Sequence, residues 1–244
     1  MADFTAPTHV GIIMDGNGRW AKAHHVPRVL GHNAGMESMK KIVIASSNLG
    51  VKYLTVYAFS TENWKRSTEE VSGIFKLIVK YVNSELQELD ENNVHINIMG
   101  DYSMLPEESV DAIDRMLATL EHNDGLIFNI ALNYGGRDEI LKGVKELYRE
   151  CVEQGIDIDS LTEEDISKHL YSGSLHLNVP DPDLIIRTSG EERTSNFLPW
   201  QAAYSELMFT DTLWPDYTPE EYEEMLRTFA GRNRRFGGRN EDDK

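Results

Sequence analysis

The sequence predicts an α/β fold built on a single open, mostly parallel, six-stranded sheet flanked by helices. Three observations point there. Short apolar runs recur without polar alternation, as in strands buried on both faces of a parallel sheet. Longer segments with apolar residues at helical spacing separate them. The two kinds of segment alternate along the chain, the order that strand–helix–strand crossovers require.

The strands are expected at His9–Met14, Tyr53–Phe59, Val94–Met99, Leu126–Leu132, Asp183–Arg187 and Leu207–Phe209. Helices fill the gaps. Asn33–Leu49 follows Gly31-His32 and stops at Gly50. Thr68–Leu89 opens on Ser67-Thr68-Glu69-Glu70, a capping-type start. Its Val71, Ile74, Phe75, Ile78, Val79, Val82, Leu86 and Leu89 form a wide apolar stripe that suits core packing or the wall of a groove. Pro106–Leu120 and Asp138–Gln154 follow. Pro219–Arg232 begins with a Thr cap and a Pro in its first turn. No repeat or low-complexity linker divides the chain, so residues 1–244 are expected to form one domain, with a core over about 9–238 and a frayed tail from Gly237.

Composition removes several function classes. A net charge of −17 disfavours nucleic-acid binding and docking on anionic lipid through a basic face. Acidic stretches such as Glu85–Glu91 and Glu220–Glu224 read as solvated helix faces. The lone cysteine, Cys151, forms no internal disulfide, suits a reducing compartment, and reads as a buried structural thiol. No apolar run approaches the roughly 18 residues that span a bilayer, and Met1–Thr8 lacks the pattern of a secretory signal. A cytoplasmic location is expected, with a peripheral membrane contact left open.

Against this acidity the loop-borne arginines stand out. Arg19, Arg28, Arg66, Arg187 and Arg193 sit in or beside segments rich in Gly, Ser, Thr or Asn, a pattern for local anion sites. The segment Asp15-Gly16-Asn17-Gly18-Arg19-Trp20 follows the first strand. Its Gly-rich turn can offer backbone N–H groups to a phosphate, Asp15 a hard oxygen for Mg²⁺, and Arg19 a fork for phosphoryl oxygens. The turn matches neither a Walker A loop nor G-x-G-x-x-G, and an ordinary capped turn is the competing reading. Further polar loops follow the second, fourth and fifth strands: Ser60–Arg66, Asn133–Arg137 and Thr188–Asn196. Ligands bind at the carboxyl ends of such strands, so these loops are expected to gather at one edge.

The chain resembles the cis-prenyltransferases of the undecaprenyl diphosphate synthase type. The resemblance runs from His9 to Gly238. It rests on the blocks His9–Ala21, Tyr57–Trp64, Asn129–Arg137, Asp183–Glu191, Ser195–Gln201 and Tyr204-Ser205-Glu206. It implies Mg²⁺-dependent elongation, in which isopentenyl diphosphate adds to an allylic diphosphate, farnesyl diphosphate in the typical case, to give a long-chain Z-polyprenyl diphosphate such as undecaprenyl diphosphate. An apolar tunnel would hold the growing chain.

The resemblance also assigns roles by position. Asp15 corresponds to the essential metal-associated carboxylate and Glu206 to a second metal-associated position. Gly16, Asn17, Gly18 and Arg19 correspond to the allylic diphosphate cradle, with Arg28 assisting; Trp20 and His32 match further substrate contacts. Asn63 matches a residue implicated in proton removal, but a neutral amide has no useful basicity, so orienting isopentenyl diphosphate is the role read here. Ser60, Thr61, Glu62, Trp64 and Arg66 belong to a loop that closes over substrate. Arg187, Arg193, Thr194 and Ser195 match the isopentenyl diphosphate clamp. Leu126 corresponds to a tunnel floor and Ala58 to its wall. Arg235-Phe236-Gly237 resembles an element that reaches a partner subunit's site, which implies a homodimer. Two departures are Ser67, where Pro is frequent, and Glu192, where some members carry His. Two other readings stay open: a phosphohydrolase or nucleotide-binding enzyme using the same Asp-Gly turn, and a non-catalytic subunit of the same fold. A trans-type elongating enzyme is disfavoured, since no internal Asp-Asp-x-x-Asp occurs.

Overall fold

The computed structural model describes residues 4–174 and 179–232. Six parallel strands form one sheet: β1 (His9–Ile13), β2 (Tyr53–Ser60), β3 (His95–Met99), β4 (Ile127–Tyr134), β5 (Leu184–Arg187) and β6 (Glu206–Phe209). Their order is β3-β4-β2-β1-β5-β6. All five strand pairs are parallel, so the expectation of a mostly parallel sheet is exceeded. The central strands β1, β4 and β5 are buried almost throughout, which explains their largely apolar, non-alternating sequence.

The helices are α1 (Asn17–Ala23), α2 (Arg28–Leu49), α3 (Thr68–Glu91), α4 (Glu107–Leu120), α5 (Gly136–Gln154), α6 (Glu163–Lys168), α7 (Tyr171–Ser174) and α8 (Pro219–Ala230). Helix α2 begins at Arg28, a turn earlier than Asn33, because Pro27 supplies a fixed φ of −57° ahead of it. The short helices α6 and α7 carry too little periodicity to be read from sequence. Cys151 is buried on α5 as expected.

One core joins the sheet to α2, α3, α4 and α8 through residues such as Ile12, Ile42, Val56, Phe128, Trp214 and Leu226. Each such large apolar side chain contributes about 1.5–3 kcal/mol by leaving water. Trp214 also donates from Nε1 to the Gly35 carbonyl, pinning α2 beneath the loop after β6. The apolar stripe of α3 divides its work: Val71 and Phe75 pack against Phe59 and Leu132, while Ile74, Ile78 and Leu89 face a cavity between α2, α3 and the sheet.

Candidate active site

The chain leaves β1 toward β2 on one side, and β5 lies on the other side of β1. The loops after β1 and β5 therefore part at a topological switch point, where open α/β sheets bind ligands. Asp15 sits at the first of these ends and Arg187 at the second. They touch: Arg187 Nη2 donates to Asp15 Oδ2 at 2.9 Å, and Arg19 Nη2 lies 3.2 Å from the same oxygen. The backbone is locked alongside. Asp15 N donates to Thr188 Oγ1, and the Thr188 hydroxyl donates to Asp15 O at 2.7 Å.

Arg187 is 5% exposed. Its Nη1 donates to the Arg193 carbonyl and, at 2.7 Å, to Ser195 Oγ, while Nε is buried without a partner. The guanidinium thus shapes the 188–198 segment from inside. That segment holds Ser189, Ser195, Asn196 and Leu198 at positive φ, at a cost of about 1–3 kcal/mol each. Arg19 Nη1 donates to Ser189 O, and Arg193 pairs with Glu191, which lies 3.9 Å from Arg19. Glu192 is exposed and Thr194 half-buried.

Gly16 turns the chain into α1 with φ 115°, and a Cβ there would press on the Leu213 backbone. Nothing lies within 4 Å of where a Gly18 Cβ would stand, so open space faces the first turn of α1. Asn17 Oδ1 is buried without a hydrogen-bond partner at the mouth of the cavity, and any side chain at position 35 would strike it. Trp20 is drawn aside: its Nε1 donates to Asp216 Oδ1 and its ring stacks on His24.

A second charged group stands at the same mouth. Glu70 accepts from Arg28 Nη1 at 2.8 Å and Arg66 Nη1 at 3.0 Å, and lies 3.4 Å from His32 Nε2. Burial would raise the Glu70 pKa, but the hydrogen bond from Arg28 and the Arg66 charge outweigh it and hold the carboxyl below its usual range. Burial pushes the His32 imidazole down, so it is neutral at pH 7. From sequence Glu70 reads only as part of a capping start to α3. Ser67 is indeed the N-cap, but the Glu70 carboxylate serves the arginines instead.

The 3-10 turn Thr61–Lys65 connects β2 to this group. Asn63 Oδ1 accepts from Ser60 N at 3.0 Å, which occupies the amide oxygen and leaves Nδ2 to donate. Trp64 Nε1 donates to Asn133 Oδ1. Asn196 Nδ2 donates to Glu62, which also accepts from Thr61 Oγ1, while Asn196 Oδ1 accepts from Arg137 N. From sequence alone Asn196 and Arg137 carry no assigned role. Their signal was their place in two loops that converge.

Glu206 does not join the Asp15 group. In register it pairs with Leu184 at the amino end of β5, several residues back from the edge where Asp15 lies, and it accepts from Arg232 at 2.6 Å. Parallel pairing dictates this, since β6 begins at Glu206. The Arg235–Gly237 element lies outside the described residues.

Behind the mouth runs the cavity, about 1400 Å³ of open space counting the part that meets solvent. Met14, Asn17 and His32 line its entrance; Ala58, Ile74, Ile78, Ile96, Ile130 and Phe128 line its body. Leu126, expected as a floor, lies just before β4, buried in the core and not in the cavity lining, while Val94 and Phe128 line that depth.

Among the described residues, no three His, Cys, Asp or Glu side chains gather to hold a cation unaided. Asp15 can still hold Mg²⁺, which binds through one or two carboxylates together with substrate phosphate oxygens and water.

Residues 13–237 match the family model described as putative undecaprenyl diphosphate synthase. The chain belongs to this family. Isoprenyl transferase of Streptococcus agalactiae serotype V is 52% identical over 231 residues, covering 95% of this chain and 92% of that protein. Isoprenyl transferase of Clostridium tetani is 48% identical over 232 residues, covering 95% and 89%. Among solved structures, lavandulyl diphosphate synthase from Lavandula x intermedia, in complex with dimethylallyl diphosphate, superposes with a TM-score of 0.90 at 35% identity, covering 96% of this chain and 99% of that one. A probable undecaprenyl diphosphate synthase from Campylobacter jejuni gives 0.77 at 31% identity, covering 98% and 100%. The chain is therefore a prenyltransferase, and its family supports cis-prenyl chain elongation. No helix of the described residues is long and apolar enough to cross a membrane.

Proposed function

We propose that this prenyltransferase condenses isopentenyl diphosphate repeatedly onto an allylic diphosphate, farnesyl diphosphate being the starter, to give a long-chain Z-polyprenyl diphosphate of the undecaprenyl class. The observation that carries this reading is that the Asp15–Arg187–Arg19 group adjoins the mouth of an apolar cavity, whose lining includes its sequence neighbours Met14 and Asn17. An amphiphile with a charged head and a growing hydrocarbon tail fits that junction. A phosphohydrolase or nucleotide enzyme has no use for the apolar cavity, and the retained Asp15, Asn63 and clamp arginines argue against a non-catalytic subunit.

In this reading the first turn of α1, with Gly16, Asn17, Gly18 and Arg19, receives the allylic diphosphate, and Arg28 and His32 flank it. Bound Mg²⁺, held by Asp15, would neutralise charge on the departing diphosphate. Arg187, Arg193, Thr194 and Ser195 hold isopentenyl diphosphate, and Asn63 Nδ2 donates to it. The C1 carbon of the starter loses diphosphate as the isopentenyl double bond attacks. The proton released from isopentenyl C2 passes to a diphosphate oxygen, since no neutral amide can take it. Trp64 and Arg66 cover the mouth during the step.

The exposed Leu141, Val144, Tyr148 and Val152 form an apolar stripe on α5. It supports a homodimer, to which Glu206 would contribute as a second metal-associated carboxylate. Sedimentation at micromolar concentration checks the dimer.

Incubation with labelled isopentenyl diphosphate, farnesyl diphosphate and Mg²⁺ should yield a ladder of prenyl products. Failure of the wild type to incorporate label refutes the reading. Ala58→Leu adds bulk to the cavity wall and should shorten the main product by at least one isoprene unit; an unchanged product would detach the cavity from chain growth.

A further inference from the structure

Helices α2 and α3 run side by side over the cavity, and polar side chains stitch them together. Moving away from the mouth, Arg28 meets Glu70, Lys80 donates to Asn33, and Tyr81 OH donates to Glu37 at 2.7 Å. The last stitch is the most elaborate. Lys40 Nζ donates to both Glu85 and Glu88, each at 2.6 Å.

All three members of this stitch also line the apolar cavity. Past them the lining changes character. Ile44, Ser47 and Asn48 on α2, and Asn92 after α3, line the cavity and are exposed to solvent. The cavity lining therefore reaches solvent-exposed residues at its far end, between the last turns of the two helices, and Lys40 spans the seam just before them. A lining required only to enclose hydrocarbon would be apolar here, as it is along Ile74, Ile78 and Ile130. The lysine stem can cover the cavity while its ammonium stays with the carboxylates. Hydrogen bonds from Lys40 hold Glu85 ionised, and those carboxylates keep Lys40 charged. The Lys40 side chain is 32% exposed and those of its partners 22% and 45%, a setting in which ion pairs are weak and can part.

We propose that the Lys40–Glu85–Glu88 bridge is a gate at the far end of the cavity that determines product length, by setting how much hydrocarbon the cavity holds before the tail meets a closed seam. With the bridge intact, further growth must force charged groups apart. With it broken, the tail passes between Asn48 and Asn92 and elongation continues. Lys40 acts here as a specificity-determining residue remote from the reacting atoms. The inference rests on the elongation reading above.

The test is the product ladder of the full-length enzyme with labelled isopentenyl diphosphate, farnesyl diphosphate and Mg²⁺. Lys40→Met keeps the stem but removes the charge, and should lengthen the main product by one or more isoprene units. Lys40→Arg should restore the wild-type ladder. The double variant Glu85→Gln, Glu88→Gln attacks the gate from the other helix and should lengthen the product likewise, which decides the matter if Lys40→Met fails to fold. A wild-type ladder, or a shorter one, from a folded Lys40→Met or from the double variant overturns the gate. If the wild type makes no prenyl chain, the elongation reading fails instead.

Discussion

At the amino ends of the strands a row of polar side chains crosses the sheet. His9 Nδ1 donates to the Pro180 carbonyl, so its Nε2 accepts from Thr55 Oγ1 at 2.7 Å; Asn129 donates to Thr55, and Asn97 to Asn129. His95 adjoins Asn97 at the far strand. At the carboxyl ends lies a second buried polar group, around Asp15 and Arg187. It carries charge, holds Ser189, Ser195 and Asn196 at positive φ, and leaves Arg187 Nε, Ser189 Oγ and Asn17 Oδ1 without partners. Both groups belong to the same sheet. The first spends its hydrogen-bonding capacity within the protein, whereas the second keeps donors and strain in reserve, as sites that await a ligand do. Stability and chemistry are thus separated along the strand direction, and substitutions at the two ends should affect different measurements.

The largest effect is expected at Asp15. Asp15→Asn keeps an oxygen for Arg187 to donate to but removes the negative charge. Turnover should fall by about 10²–10³-fold, the range for losing a group that stabilises transition-state charge, with thermal stability close to wild type. A variant that loses stability and keeps turnover would place Asp15 with the structural row instead.

The converse belongs to His9. Burial holds its imidazole neutral, pushing the pKa from 6.5 down to about 4, against the pull of the Pro180 hydrogen bond. Between those values the folded chain binds fewer protons than the unfolded one, so this contribution is fully present above pH 6.5 and is lost as pH falls toward 4. The loss amounts to about 3 kcal/mol at its limit. A charged ring would turn a second donor on Thr55 and break the row. Denaturant unfolding across this pH range should show a steeper acid loss for wild type than for His9→Gln, whose turnover per folded molecule should match wild type at pH 7.5. Parallel curves would show that the row does not sense protons.

Much of this separation was legible in the sequence. Short apolar runs located the strands, several of them without alternation because both faces are buried, and the loops with Arg19, Arg187 and Arg193 had to meet once the strands were parallel. Three things were not legible. Glu206 belongs to a recognisable block, yet strand register places it away from Asp15 within the chain. Leu126 adjoins the cavity in sequence but turns into the core. Glu70 looked like a capping residue because its helical position satisfies that pattern, and only the packing of α2 against α3 brings Arg28, Arg66 and His32 to its carboxylate. Register, side-chain direction and helix–helix contact are tertiary properties, and local sequence does not encode them.

Glu70 also gives the finest test of the comparison, because it lies between its two categories. Its carboxylate is fully used, like a member of the structural row, but its partners are solvent-exposed cations: the Arg28 side chain is 69% exposed and that of Arg66 37%. Such pairs contribute only about 0.2–1 kcal/mol each, so Glu70→Gln should leave the melting temperature nearly unchanged. If Glu70 aims the two arginines at the diphosphate, the variant should raise the KM for the allylic substrate by about two- to fivefold, the equivalent of roughly 0.4–1 kcal/mol, with kcat held. If instead KM falls, Glu70 competes with the diphosphate for those arginines, and the mouth, unlike the Asp15 group, must surrender an internal contact each time substrate enters.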